Sequence, residues 1–120
     1  PDLLHTYDTD LRQRAMEIAK AKGIRAMEGV YSALQGPNLE TPAEYTMLNR
    51  LGSDCTGMSS IPEVLVARHM NVPVLMISLV SNVSFPVSSI RVTTVEEVIA
   101  TARAAEPKMR LLIRELLQNV

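Results

Sequence analysis

Three polar blocks interrupt the apolar runs of this chain, and each sits where a strand-like run gives way to a capped helix or an open loop. They are Gly36-Pro37-Asn38-Leu39-Glu40-Thr41, Gly57-Met58-Ser59-Ser60-Ile61-Pro62-Glu63 and Ser78-Leu79-Val80-Ser81-Asn82. A chain punctuated in this way alternates helices with strands. With short connections, that alternation yields an α/β fold, a largely parallel central sheet covered by helices. In open sheets of this class ligands bind outside the strand ends, where these blocks deliver polar side chains.

The helix signals are explicit. Asp8 or Thr9 can cap a helix through about Ala21, with Leu11, Ala15, Ile18 and Ala19 at helical spacing and Gly23 as the stop. Thr41-Pro42-Ala43-Glu44 is a capping box: the Thr hydroxyl accepts from the Glu44 amide while the Glu44 carboxylate reaches back to the Thr41 amide. Ser60-Ile61-Pro62-Glu63 and Thr94-Val95-Glu96-Glu97 predict two further boxes. Helices are therefore expected over Pro42 to Leu51, Ile61 to His69 and Val95 to Leu117, the last kinked or divided at Pro107. Strands are expected over Glu28 to Leu34, Asp54 to Met58 and Val72 to Ser81, the third a near-continuous apolar run suited to burial on both faces.

Composition removes several function classes. The apolar fraction is 47%, yet no uncharged apolar run approaches the roughly 20 residues of a membrane span. A formal net charge of -1, with the basic residues scattered, leaves no electrostatic footprint for nucleic acid. Cys55 is the only cysteine, which excludes an internal disulfide and a cysteine-based zinc site and fits a reducing, cytoplasmic setting. It is expected to be a small buried hydrophobe within a strand, since no His lies nearby in sequence to activate it as a nucleophile. No secretory signal precedes the first helix, and an opening of Pro1-Asp2-Leu3-Leu4 without Met is what a segment cut from a longer sequence would show.

The chemistry rests on what the strand ends present. Glu40 precedes a helix cap and either favours the helix dipole, an effect of roughly 0.3–1 kcal/mol, or offers its carboxylate to two N–H groups of a planar ligand. Because Glu44 already serves the cap, Glu40 is left without a structural task. Ser60 is accounted for by capping. The Ser59 hydroxyl and the amides at the following helix start can instead receive a phosphate. Met58 is either core or one wall of a pocket. Asn82 either satisfies local backbone groups or presents its amide donor and acceptor to a heterocycle. His5 lies in a frayed entry segment and His69 near a helix C-terminus, where it favours the dipole, and neither is a catalytic candidate.

The stretch GPNLETPAEYTMLNRLGSDCTGMSSIPEVLVARHMNVPVLMISLVSN resembles the trimeric family of purine nucleoside phosphorylases, through its GPxxET, GMSxxPE and S/TN signatures. The resemblance runs from about Tyr7 through the last helix. It implies that residues 1–120 are the C-terminal portion of a single nucleoside phosphorylase domain whose N-terminal half lies outside this chain. The implied reaction is phosphorolysis of purine nucleosides to free base and pentose 1-phosphate, with orthophosphate as co-substrate, no cofactor and no metal, in a homotrimer.

By resemblance, Glu40 and Asn82 hold the base and stabilise the charge that develops on it, with Ser81 and Leu39 beside them. Ser59 contacts phosphate, and Met58 and Val95 face the ribose. Leu39 stands where the family usually has Phe, and Ser81 where the 6-oxopurine enzymes usually have Thr. Asn82, where adenosine-type relatives place Asp, favours inosine and guanosine. Val95 stands where 6-oxopurine enzymes commonly have His and where the methylthioadenosine branch likewise favours Val, so 5′-methylthio nucleosides are an alternative substrate class. The N-terminal Ser-rich phosphate loop and the Arg and His phosphate ligands of the family are missing from this chain, which is expected to be inactive alone. The rival expectation is a non-catalytic module that binds a purine or a partner.

Overall fold

The structure, a computed structural model, describes residues 2–118. The element order is α1 (Thr9–Ala21), β1 (Tyr31–Ala33), α2 (Pro42–Arg50), β2 (Cys55–Gly57), α3 (Ile61–His69) and α4 (Val95–Leu117), with a 3-10 turn at Val87–Ser89 before α4. The α/β alternation read from the sequence is present. β1 and β2 pair in parallel, Tyr31 with Cys55, Ser32 with Thr56 and Ala33 with Gly57. Parallel pairing requires a crossover between the strands, and α2 supplies it.

The helix boundaries follow the local chemistry. Asp8 caps α1 by accepting from the Leu11 amide at 2.8 Å, and Gly23 follows the helix at φ +64, a left-handed position that glycine adopts without strain. The Thr41 capping box forms in full, with the Thr41 amide donating to Glu44 Oε2 at 2.7 Å and the Glu44 amide donating to Thr41 Oγ1 at 3.3 Å. Thr94 and Glu97 exchange the same two bonds, at 3.1 and 3.2 Å. Pro107 lies inside α4, which continues through it undivided to Leu117.

Three expectations need correction. Ser60 does not cap α3: its φ is +75 and its side chain makes no capping bond. A capping Ser or Thr needs extended backbone, as Thr41 has at φ -71 and ψ 160. Residues 72–81 form no strand, because a strand exists only as a rung of a ladder and no β-pairing is formed by this segment among the described residues. Nor is the run buried on both faces, since Val80 is 62% exposed. Finally, Cys55 lies in β2 but is only half-buried. Its thiol is pushed up by burial and, secondarily, by the charge of Asp54.

The chain divides into two compact units. One comprises residues 1–27, 60–78 and 103–120. Its core is Ala15 and Ala19 of α1 against Leu112 of α4, with Ile18, Leu75 and Ile77 packed around them. Truncating Leu112 to Ala is expected to cost about 2–5 kcal/mol. The Asp8 amide donates to the Val74 carbonyl at 2.8 Å in the same unit, and Lys22 pairs with Glu115 at 3.2 Å. The other unit comprises residues 28–59 and 79–102. It holds β1, α2, β2, the 3-10 turn and the first two turns of α4, and it contains every candidate site residue.

Candidate functional site

Parallel register decides which side chains meet. With Ala33 opposite Gly57, both strands end at the same edge, and the Leu34 amide extends the pairing by donating to the Gly57 carbonyl at 2.9 Å. The Gly36–Glu40 loop and the Met58–Ser59 turn therefore leave the sheet side by side. Gly36 sits at φ +65, and a Cβ there would collide with the Met58 thioether. Met58 thus packs against the Gly36 backbone and joins the two motifs.

A second close approach fixes the Met58–Ser59 turn. The Tyr31 hydroxyl donates to the Ser59 carbonyl at 3.1 Å and accepts from the Ser59 amide at 3.4 Å. A Cβ on Gly57 would collide with that hydroxyl, so glycine is what allows the phenol to reach Ser59. One of the amides expected to be open at this turn is therefore occupied by Tyr31. The Ser59 side chain itself remains exposed.

Around Asn82 a chain of polar side chains is held together. Ser81 Oγ donates to Asn82 Oδ1 at 2.9 Å, and Asn82 Nδ2 donates to Ser84 Oγ at 3.3 Å. Ser84 and Glu40 both lie near enough to Tyr45 to act on its phenol. Tyr45, on α2, is 8% exposed, and burial is the main cause that pushes its phenol up, with Ser84 opposing and the Glu40 carboxylate reinforcing the shift. Ser81, Asn82 and Ser84 thereby form one hydrogen-bonded chain, and Glu40 acts with Ser84 on the phenol of Tyr45.

Glu40, Leu39, Met58, Ser59 and Val95 are not members of that hydrogen-bonded chain. Leu39 is 52% exposed beside Glu40. Val95 is the first residue of α4 and is 69% exposed. Tyr45, Ser84 and Tyr31 did not stand out in the sequence as site residues. A signal for Tyr45 existed: four residues after the Thr41 cap, a helical side chain leans back toward the N-terminus and so toward Glu40.

A groove lined by Leu3, Leu4, His5, Thr6, Ile61 and Leu65 lies in the unit built on α1 and contains none of the candidate site residues. Among the described residues there is no cluster of three or more His, Cys, Asp or Glu side chains of the kind that holds a metal ion. No helix among them is long and apolar enough to cross a membrane.

Comparison with known proteins adds an independent line. The family profile of the phosphorylase superfamily matches residues 1–118. Purine nucleoside phosphorylase 1 of Geobacillus stearothermophilus is 39% identical over 120 residues, covering 100% of this chain and 43% of that protein. The crystal structure of Schistosoma mansoni purine nucleoside phosphorylase in complex with inosine superposes with a TM-score of 0.94 at 40% identity, over 100% of this chain and 44% of that one. The complex of the same enzyme with adenosine matches equally, with a TM-score of 0.94 at 40% identity, again over 100% and 44% of the two chains. The chain thus spans a little under half the length of these relatives.

Proposed function

Because this chain belongs to the phosphorylase superfamily, we propose that the whole protein catalyses phosphorolysis of purine nucleosides, with this segment supplying the base-binding part of the site. Orthophosphate attacks the anomeric carbon, a C–O bond forms there as the glycosidic C–N bond breaks, and the bonding pair leaves on the purine. The products are the free base and a pentose 1-phosphate. No cofactor is needed, because both displaced and incoming groups are carried by the substrates.

The observation that carries this reading is that one compact unit holds both Glu40 and the hydrogen-bonded Ser81–Asn82–Ser84 chain, with Glu40 and Ser84 both acting on the phenol of Tyr45. A carboxylate that accepts N–H bonds and an amide that both donates and accepts are the complement of a purine edge. Donors aimed at the atoms where negative charge accumulates lower the barrier more than they strengthen ground-state binding. Ser59, Met58 and Val95 then face phosphate and ribose, with Leu39 and Ser81 lining the base. Asn82 can donate to a 6-oxo group, which favours inosine and guanosine.

The finer features of the reading follow the trimeric relatives: a homotrimer, acting in the cytoplasm in purine salvage, whose further phosphate ligands come from the N-terminal half of the domain. The test is phosphate-dependent release of hypoxanthine from inosine by the longest natural form of the protein, beside its Glu40→Gln variant. Release that falls by roughly 10²-fold in the variant supports the assignment. A folded protein that releases no base supports the non-catalytic, purine-binding module instead.

A further inference from the structure

A loop that carries a binding residue is only as precise as what holds it. The Leu34 amide donates to the Gly57 carbonyl at 2.9 Å, and the next backbone group held by a regular element is at Thr41, the cap of α2. Between them residues 35–40 make no backbone–backbone hydrogen bond among the described residues. The side-chain bond inside the loop, from Asn38 Nδ2 to the Leu39 carbonyl at 3.1 Å, is local.

Met58 reaches this loop from the neighbouring strand end. Gly36 sits at φ +65, and a Cβ there would collide with the Met58 sulfur and lie 3.1 Å from its Cγ and 3.4 Å from its Cε. The thioether fills the space in which a side chain would stand. Met58 is itself held on both sides. Gly57 before it pairs with Ala33 in the ladder, and Ser59 after it has its carbonyl and its amide bonded to the Tyr31 hydroxyl, at 3.1 and 3.4 Å. The loop is thus braced at Gly36 by Met58 and at Thr41 by the capping box, and Glu40 lies between the two points.

We infer that Met58 is a positioning residue for the base: seated on Gly36, it fixes the loop that carries Leu39 and Glu40 and so sets where the Glu40 carboxylate stands. The inference rests on the purine-binding reading of Glu40. Met58 is 42% exposed, so packing on Gly36 leaves part of its side chain for the ribose, and the two roles separate chemically. A free base has no pentose, so a residue that only walls the ribose adds nothing to its binding. A residue that places Glu40 strengthens free base and nucleoside alike. Shortening Met58 empties the space over Gly36, whose backbone is the freest to shift. Glu40 then meets the N–H groups of the purine at poorer lengths and angles, where hydrogen bonds weaken steeply.

The test uses Met58→Ala, Met58→Leu, Glu40→Gln and the Met58→Ala/Glu40→Gln double variant in the longest natural form of the protein, with thermal melts to verify folding. Two readouts are taken: the calorimetric affinity for hypoxanthine, with neither pentose nor phosphate present, and the backbone amide resonances of Gly36, Leu39 and Glu40. Met58→Ala is expected to move those resonances and to weaken hypoxanthine about tenfold, the scale of a hydrogen bond to a charged group. Met58→Leu keeps a carbon where the sulfur lies and should restore the resonances and most of the affinity. In the Glu40→Gln background Met58→Ala should cost less than about twofold, because residues that act through one another do not add. Should Met58→Ala fail to fold, Met58→Val, which also stops short of Gly36, takes its place with the same expectations. Unchanged hypoxanthine affinity in the shortened variant, or an equal loss in both backgrounds, overturns the inference and leaves Met58 a wall for the ribose alone. If the parent protein does not bind hypoxanthine, the purine reading fails, and the Gly36, Leu39 and Glu40 resonances still decide whether Met58 holds the loop.

Discussion

The Tyr31 hydroxyl bonds both the carbonyl and the amide of Ser59, at 3.1 and 3.4 Å, across the space left by the missing side chain of Gly57. A residue near the start of one strand thereby holds the turn that follows the other. Removing the hydroxyl leaves Ser59 on an untethered turn. Tyr31→Phe is expected to raise the KM for phosphate by about two- to tenfold, the loss of roughly 0.5–1.5 kcal/mol for a neutral hydrogen bond, while the KM for nucleoside changes less. Initial-rate kinetics with each substrate varied in turn measure the split.

The proposed function assigns base preference to Asn82. Replacing its amide by a carboxylate removes the donor to a 6-oxo group and supplies an acceptor for a 6-amino group. Asn82→Asp is expected to move the inosine-to-adenosine ratio of kcat/KM toward adenosine by tenfold or more, consistent with roughly 1–3 kcal/mol for a polar group left unpaired. An unchanged ratio removes Asn82 from base selection.

In the proposed site the exposed Val95 offers the 5′ position an apolar surface rather than a hydrogen bond. An added apolar group in such a site is worth about 1–3 kcal/mol at most, so kcat/KM for 5′-methylthioinosine is expected to equal or exceed that for inosine. Val95→His should reverse the order. Steady-state rates on the two substrates decide it, and strong preference of the parent for inosine contradicts the assignment of Val95.

The Thr41 cap has a pH signature. The Thr41 backbone amide, and then its hydroxyl, hold the Glu44 carboxyl below its ordinary value of 4.5. The folded state therefore binds that proton less readily than the unfolded chain does. Its contribution to stability is complete above about pH 4.5 and is lost as the pH falls through the lower, folded value. Urea midpoints for the parent and Glu44→Gln should differ at pH 7 and converge as the pH drops below that value.

Local chemistry made much of this fold legible. Asp8, Thr41 and Thr94 cap where their side chains predict, because a cap depends on residues within one turn. The parallel β1–β2 pair and the placing of Glu40 and Met58 at its carboxyl edge follow from helix and strand alternation. What escaped were features set by distant atoms. Residues 72–81 have the composition of a strand, but pairing is not encoded in composition. Ser60 has a capping identity and adopts left-handed backbone instead, as residues beside functional turns often do. Tyr45 carries no motif signature of its own, and it is burial on α2 that brings its phenol under the influence of Glu40 and Ser84.

The most direct measurement is 31P and 1H NMR of inosine and orthophosphate incubated with the longest natural form of the protein. Phosphorolysis predicts that orthophosphate is consumed mole for mole as hypoxanthine and a pentose 1-phosphate appear, with no base released when phosphate is omitted. Release of hypoxanthine without consumption of phosphate, or no release from a folded protein, contradicts the account.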